Sequence, residues 1–180
     1  MTVDVMARED ELFRRSVHDD LTGLPNRILL TDRISQAFHR ARRTGTRLSV
    51  FYVDLDGFKA VNDRWGHAIG DQVLKSVSTR LAAALRPADT VARVGGDEFV
   101  AVCEGLHGPG DTSEIAQRLI DVVAVPIEHR AGRACLTASV GSASTTTARS
   151  RPQTLIDAAD RAMYRAKRAG GAAFRTGFCR

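Results

Sequence analysis

Two adjacent carboxylates, Asp97 and Glu98, follow Val94-Gly95-Gly96 and precede Phe99-Val100, where Gly95-Gly96 reads as the turn of a β-hairpin. The flanks, Val91 to Val94 and Phe99 to Cys103, are apolar enough to be buried. An ordinary core has no use for two acids there. An unpaired buried charge is costly, and two like charges side by side are worse unless a cation joins them. A second acidic pair, Asp54 and Asp56, closes the apolar run Leu48 to Val53, and strand ends are where sheets present ligand groups. Residues two apart share a side of a strand, so Leu55 points the other way, into the core. If that strand neighbours the hairpin, Asp54, Asp97 and Glu98 converge from two strands. Three acids without histidine or cysteine predict a hard divalent ion, Mg²⁺ or Mn²⁺, held jointly with substrate phosphates. The chemistry is then metal-assisted phosphoryl transfer. The competing reading has Asp54 and Asp56 capping a short helix, with Asp97 and Glu98 decorating an exposed turn.

The elements that must position these groups read as follows. Residues 1 to about 18 are helical, polar and thinly striped by Val3, Met6, Phe13 and Val17, as in a connecting or dimerising helix. A loop follows over His18 to Pro25, then a helix over Arg27 to Arg43 ending at Thr44-Gly45. Leu48 to Val53 reads as a central strand covered on both sides. A helical turn over Phe58 to Arg64, a loop over Gly66 to Gly70, and a helix capped by Asp71 come next. Pro87 stops that helix. After the hairpin come a glycine-rich loop at Gly105 to Gly110, a helix over Ser113 to Val123, a strand over Ala134 to Ser144, and a helix over Gln153 to Ala169. The order, roughly αα-β-αα-ββ-α-β-α, requires a mixed or antiparallel sheet covered by helices.

Bulk properties bound the possibilities. At 180 residues, with 43% hydrophobic and 26% charged residues, the chain has room for one well-buried core. A net charge of +5 is too small, and too poorly interleaved with aromatics, to indicate a nucleic-acid binder, but it suits a phosphate-rich ligand. No run approaches transmembrane length, and the N-terminus is too acidic and polar for a signal peptide. Cys103, Cys135 and Cys179 lack metal-ligand spacing and read as free thiols in a reducing cytoplasm.

The chain resembles the diguanylate cyclases, the GGDEF domains of bacteria, over essentially everything from His18 to Gly171. Five ordered stretches carry the likeness: His18-Asp19-Asp20-Leu21-Thr22-Gly23-Leu24-Pro25-Asn26-Arg27; Asp54-Leu55-Asp56-Gly57-Phe58-Lys59-Ala60-Val61-Asn62-Asp63 with Gly66-His67-Ala68-Ile69-Gly70-Asp71; Gly95-Gly96-Asp97-Glu98-Phe99; Ala138-Ser139-Val140-Gly141; and Ala159-Asp160-Arg161-Ala162-Met163-Tyr164-Arg165-Ala166-Lys167. The resemblance implies an α/β sandwich with a mostly antiparallel five-stranded sheet, similar to class III nucleotide cyclases and polymerase palms. It implies an enzyme that joins two GTP into cyclic di-GMP and releases two pyrophosphates, one GTP on each of two facing domains, with two Mg²⁺ or Mn²⁺ ions per active site. Carried onto this chain, Asp54 and Asp97 resemble the metal-binding carboxylates, with the Leu55 carbonyl as a further ligand. Glu98 resembles the second carboxylate near the reacting phosphate and the 3′-hydroxyl. Asn62 and Asp71 resemble the guanine readers, Lys59 and Lys167 the phosphate-contacting lysines, and Phe58 a further substrate-binding residue. Arg86 and Asp89 look like an RxxD site for inhibitory product.

The same likeness divides the chain into a linker or signalling helix at 1–18, the GGDEF domain at 19–175 and a tail at 176–180. It implies a second GGDEF domain as catalytic partner, an upstream sensory domain, a C-terminal EAL domain in the full-length protein, and a cytoplasmic location. One position departs. Family members commonly carry Gly-Arg-Asn where this chain has Gly170-Gly171-Ala172, so an arginine expected at the GTP phosphates is absent; Arg168 and Arg175 are the nearby cations. The alternative is therefore a non-catalytic module that binds GTP or cyclic di-GMP and regulates a neighbour.

Overall fold

The computed structural model describes residue 8, residues 12–145 and residues 151–177. A helical segment at 12–17 leads into a closed loop in which His18 bridges to Pro25. The expected apolar positions Val3 and Met6, and Cys179, lie outside the described residues. The helices are α1 (Arg27–Thr44), α2 (Phe58–Trp65), α3 (His67–Ala83), α4 (Pro109–Ala124) and α5 (Pro152–Arg168). The strands are β1 (Arg47–Asp56), β2 (Thr90–Gly95), β3 (Glu98–Leu106), β4 (Ile127–His129), β5 (Gly132–Ala134), β6 (Thr137–Thr145) and β7 (Phe174–Gly177).

Five strands form the main sheet in the order β2-β3-β1-β6-β7, antiparallel except for the β6–β7 pair. The centre goes to β1, whose apolar run is buried along almost its whole length. Its alternate residues serve two cores. Phe51, Val53 and Leu55 pack with Val61, Ile69, Val73 and Leu119 on the side of α2, α3 and α4. Leu48, Val50 and Tyr52 pack with Leu30, Ile34, Leu155 and Met163 on the side of α1 and α5. By this alternation Asp54 falls on the α1/α5 side, at the end of a buried row.

Local chemistry sets the boundaries. Asn26 caps α1 by accepting from the Ile28 and Leu29 amides. Gly45 ends that helix in the left-handed conformation, as the Thr44-Gly45 signal implies. Three expectations are corrected. Gly66 turns the chain in a single residue, so α3 begins at His67; Gly66 to Gly70 is not a loop, and Asp71 lies within the helix rather than capping it. Helix α4 starts at Pro109, with Pro in the first turn and Asp111 accepting from the His107 amide, so the glycine-rich loop is shorter than expected. The expected strand over Ala134 to Ser144 is two strands, because β5 pairs with β4 in a separate hairpin and β6 begins at Thr137.

That hairpin rests on Trp65, whose ring meets the His129 ring edge-on at 4.7 Å while the Arg64 guanidinium lies 4.7 Å over it. Strand β7 takes Thr176 and Gly177 into the main sheet, and its four residues are too few and too polar to announce themselves. Cys103 is buried, Cys135 is exposed, and both are free thiols. Among the described residues no helix is long and apolar enough to cross a membrane.

Candidate active site

The hairpin between β2 and β3 turns at Gly96-Asp97, and β3 runs beside β1. The Leu55 amide donates to the Asp97 carbonyl at 3.2 Å, which fastens the turn to the end of β1. Asp54 stands directly opposite Glu98 in the β1–β3 ladder. Directly opposed side chains on adjacent strands are near neighbours, and two like charges so placed are destabilising. Each acid is met by a different donor. Lys167, in the last turn of α5, donates to Asp54 Oδ1 at 2.6 Å, and the Tyr52 hydroxyl donates to Glu98 Oε2 at 3.0 Å.

Burial pushes the Asp54 carboxyl above its ordinary range against the pull of the Lys167 ammonium, and the charges of Asp97 and Asp56 add to the rise. The hydrogen bond to Asp54 holds the Lys167 ammonium above the usual lysine value. Asp56 has structural work. It accepts from Ser139 Oγ at 2.9 and 3.0 Å, from Thr137 Oγ1 at 3.4 Å, and from the Ala172 amide at 2.9 Å.

Among the described residues no three acidic, histidine or cysteine side chains are already drawn together as a metal cage. The donors at the β1–β3 end are carboxylate and carbonyl oxygens throughout. That set fits Mg²⁺ or Mn²⁺, which are usually held by one or two carboxylates together with substrate phosphates.

Asn62 lies on α2 against α3. Its Oδ1 is buried without a hydrogen-bond partner, and it presses so closely on Gly70 that a methyl group there would overlap it. An orphaned buried amide oxygen normally marks a missing partner. Asp71, the residue after Gly70, is exposed on the same helix, and Lys59 is exposed on α2. Phe58 lies in the core beneath Gly70 rather than on the surface. Gly171 adopts φ +72, and a Cβ there would come within 3.0 Å of Asp56 Oδ2. Arg168 is exposed, and Arg175 Nη1 donates to the Phe174 carbonyl of its own strand.

Away from this end, Arg86 and Asp89 close a turn through the backbone. Asp89 Oδ2 accepts from the Arg86 amide at 3.1 Å, so the exposed Arg86 guanidinium is not spent on Asp89. Both residues line a cavity of about 430 Å³ with Leu24, Leu85 and Val91. Burial pushes the neighbouring Cys103 thiol far up, the Asp89 carboxylate adds to this, and the charges of Arg118 and Arg86 oppose it.

Two arginines escape the sequence reading. Arg118 brings its charge to this cluster, with its Nε buried and unpartnered. The only signal for it in the sequence is a cation on the apolar face of its helix, three residues after Ile115. Arg93 donates from Nη1 to both Asp19 oxygens at 3.0 Å, and from Nε and Nη2 to the Gly96 carbonyl at 3.0 and 2.7 Å. It thereby ties the loop after the N-terminal helical segment to the Gly96-Asp97 turn. Asp19 accepts from Thr22 as well. Burial works to raise its carboxyl, but the bonds from Thr22 and Arg93 outweigh burial and hold it below the ordinary value.

The chain as a whole is similar to known proteins. The family profile for the diguanylate cyclase GGDEF domain matches residues 16–173. The bifunctional diguanylate cyclase/cyclic di-GMP phosphodiesterase MucR of Pseudomonas aeruginosa is 42% identical over 169 residues, 94% of this chain and 24% of that protein. The diguanylate cyclase TpbB of the same organism is 39% identical, over 87% of this chain and 36% of its own length. The crystal structure of the coiled coil and GGDEF domain of DgcB from Caulobacter crescentus, in complex with c-di-GMP, superposes with a TM-score of 0.88 at 25% identity, covering 98% of this chain and 93% of that one. The isolated GGDEF domain of TpbB gives 0.84 at 38% identity, covering 89% and 94%. The chain belongs to the GGDEF domain family of diguanylate cyclases. It spans about a quarter to a third of the length of these curated relatives.

Proposed function

We propose that this domain, paired with a second copy, condenses two GTP into cyclic di-GMP and two pyrophosphates. The observation that carries the reading is the placement of Asp54 opposite Glu98 at the open end of β1 and β3, two acids that a purely structural sheet has no reason to oppose. Asp54, Asp97, the Leu55 carbonyl and Glu98 would hold the metal, two ions per site. When bound, Mg²⁺ neutralises charge on the α-phosphate and makes the 3′-hydroxyl easier to deprotonate.

The remaining chemistry belongs to the residues. Glu98 takes the proton from the attacking 3′-hydroxyl, a role its free carboxylate oxygen supports. The new bond forms between that oxygen and the α-phosphorus of the partner's GTP, the bond to the bridging oxygen breaks, and pyrophosphate leaves. Lys59 and Lys167 hold phosphate oxygens. Asn62 and Asp71 read the guanine edge, the carboxylate accepting from its N–H donors. Each domain holds one nucleotide, so a single copy has only half of the reacting groups.

Arg86 and Asp89 serve as the product-binding pair, and Arg118 joins them. Residues 1–18 act as the link from an upstream sensory segment, and the catalytic domain runs from residue 19 through the end of β7. The domain works in the cytoplasm, where GTP and Mg²⁺ are found. A second reading, a module that binds GTP or cyclic di-GMP without turnover, is favoured by Gly171, where the resemblance leads one to expect an arginine. Incubation of purified protein with GTP and Mg²⁺ separates the two. Cyclic di-GMP and pyrophosphate in a one-to-two ratio support the cyclase, and nucleotide binding without either product supports the module.

A further inference from the structure

Tyr52 is only 5% exposed in the apolar layer between the sheet and α1/α5, among Leu30, Val50, Val100 and Met163. It pairs across β1 and β3 with Val100, so Glu98 is its diagonal neighbour on the same face, within reach of a long aromatic side chain. Its hydroxyl meets Glu98 Oε2 at 3.0 Å. No other hydrogen bond to the Glu98 side chain occurs among the described residues, and the same Oε2 lies against Gly95, where an added Cβ would approach it to 3.3 Å.

One carboxylate oxygen is thus pinned between a phenol and a glycine, which leaves Oε1 as the free oxygen. Phenylalanine would fill the same apolar space, and the hydroxyl adds only the contact to Glu98.

Resting on the cyclase reading of this site, we propose that Tyr52 is a positioning residue. Its hydroxyl fixes the rotamer of Glu98 so that Oε1 faces the reacting 3′-hydroxyl and the metal. Tyr52 itself touches neither substrate nor metal.

The test is Tyr52→Phe in the full chain, beside Val50→Ala as a packing control in the same layer. Loss of a single hydrogen bond to a charged group predicts a fall in kcat of about tenfold. KM for GTP and the thermal midpoint should stay close to wild type, and Tyr52→Phe should have no further effect on top of Glu98→Gln. Val50→Ala should lower the midpoint and spare kcat. An unchanged kcat in Tyr52→Phe overturns the proposal, as does a loss that follows the thermal midpoint in both variants.

A readout independent of turnover is Mn²⁺ binding, followed by electron paramagnetic resonance with the α,β-methylene analogue of GTP present. Weaker Mn²⁺ binding in Tyr52→Phe, with unchanged affinity for the analogue, supports the positioning role even in a protein that makes no product. Unchanged Mn²⁺ binding in such a protein overturns it. Absence of product from the wild type alone overturns the cyclase reading and not the Tyr52–Glu98 link.

Discussion

Lys167 Nζ lies 2.6 Å from Asp54 Oδ1, joining the end of α5 to the end of the central strand across 113 residues of sequence. The ammonium occupies the carboxylate that the proposed metal needs. In the proposed site the lysine would compete with the metal before nucleotide arrives and would contact phosphate afterwards.

Lys167→Met should therefore separate two affinities. Binding of Mn²⁺ alone should strengthen a few-fold, because Asp54 loses its resident cation. Affinity for the GTP analogue should weaken by about tenfold, the scale of one charge-assisted contact. The Lys167 side chain is 46% exposed, so solvent screening keeps the first effect small. Titrations of metal alone and of nucleotide with Mg²⁺ check both; a parallel change in the two affinities contradicts the competition.

Glu98→Gln should disable the domain without unfolding it. The amide keeps an oxygen that can accept from the Tyr52 hydroxyl but loses the charge of that bond. Calorimetry in chelator should find a thermal midpoint within about 3 °C of wild type, and the turnover assay should find a loss of more than about a hundredfold.

How far the sequence reaches is visible in these same residues. The hairpin, its turn expected at Gly95-Gly96 and found one residue later at Gly96-Asp97, and the apolar strand that carries Asp54 near its end are legible, because turn glycines and an unbroken apolar run are local signals. Their adjacency is only inferred from element order, and the ladder that sets Asp54 opposite Glu98 appears with the structure. The donors that hold the site are not legible at all. Tyr52 reads as one more core residue 46 positions from Glu98, and Arg93 as a stray cation 74 positions from Asp19. Neither periodicity nor propensity reports a contact over such separations. The Asp71 cap fails because Gly66 turns the chain earlier, so the helix already runs from His67 through Gly70, where the Asn62 side chain leaves no room for a Cβ.

Gly70→Ala tests that contact. Within the helix an alanine is favoured by about 1 kcal/mol, yet its methyl would displace the end of the Asn62 side chain. The thermal midpoint should fall, because the buried Asn62 amide and the Phe58 ring must both give way, while KM for GTP increases by about tenfold and the preference for GTP over ATP narrows. An unchanged preference would remove Asn62 from guanine recognition.

Asp19→Asn should loosen the Arg93 clamp on the signature turn. The Asp19 carboxyl is held below its ordinary value of 3.8, so the clamp's contribution is present above that pH and is lost as pH falls through the lower folded-state value. At neutral pH the variant should lose about 2 kcal/mol, the scale of a hydrogen-bonded charged group. The difference from wild type should shrink as pH drops below 3.8. Thermal midpoints of the two proteins from pH 7 downward report it; a gap that stays constant into acid contradicts the assignment.

The central claim, that two copies of this domain complete one Mg²⁺-dependent site for joining GTP to GTP, is tested most directly by the initial rate of cyclic di-GMP formation against protein concentration at saturating GTP. The account predicts product from the wild type and none from Asp54→Asn. It also predicts a rate that climbs with about the second power of protein concentration until the dimer is populated. A rate linear in protein from the lowest concentration, or no product at concentrations where the protein is dimeric and binds GTP, would contradict it.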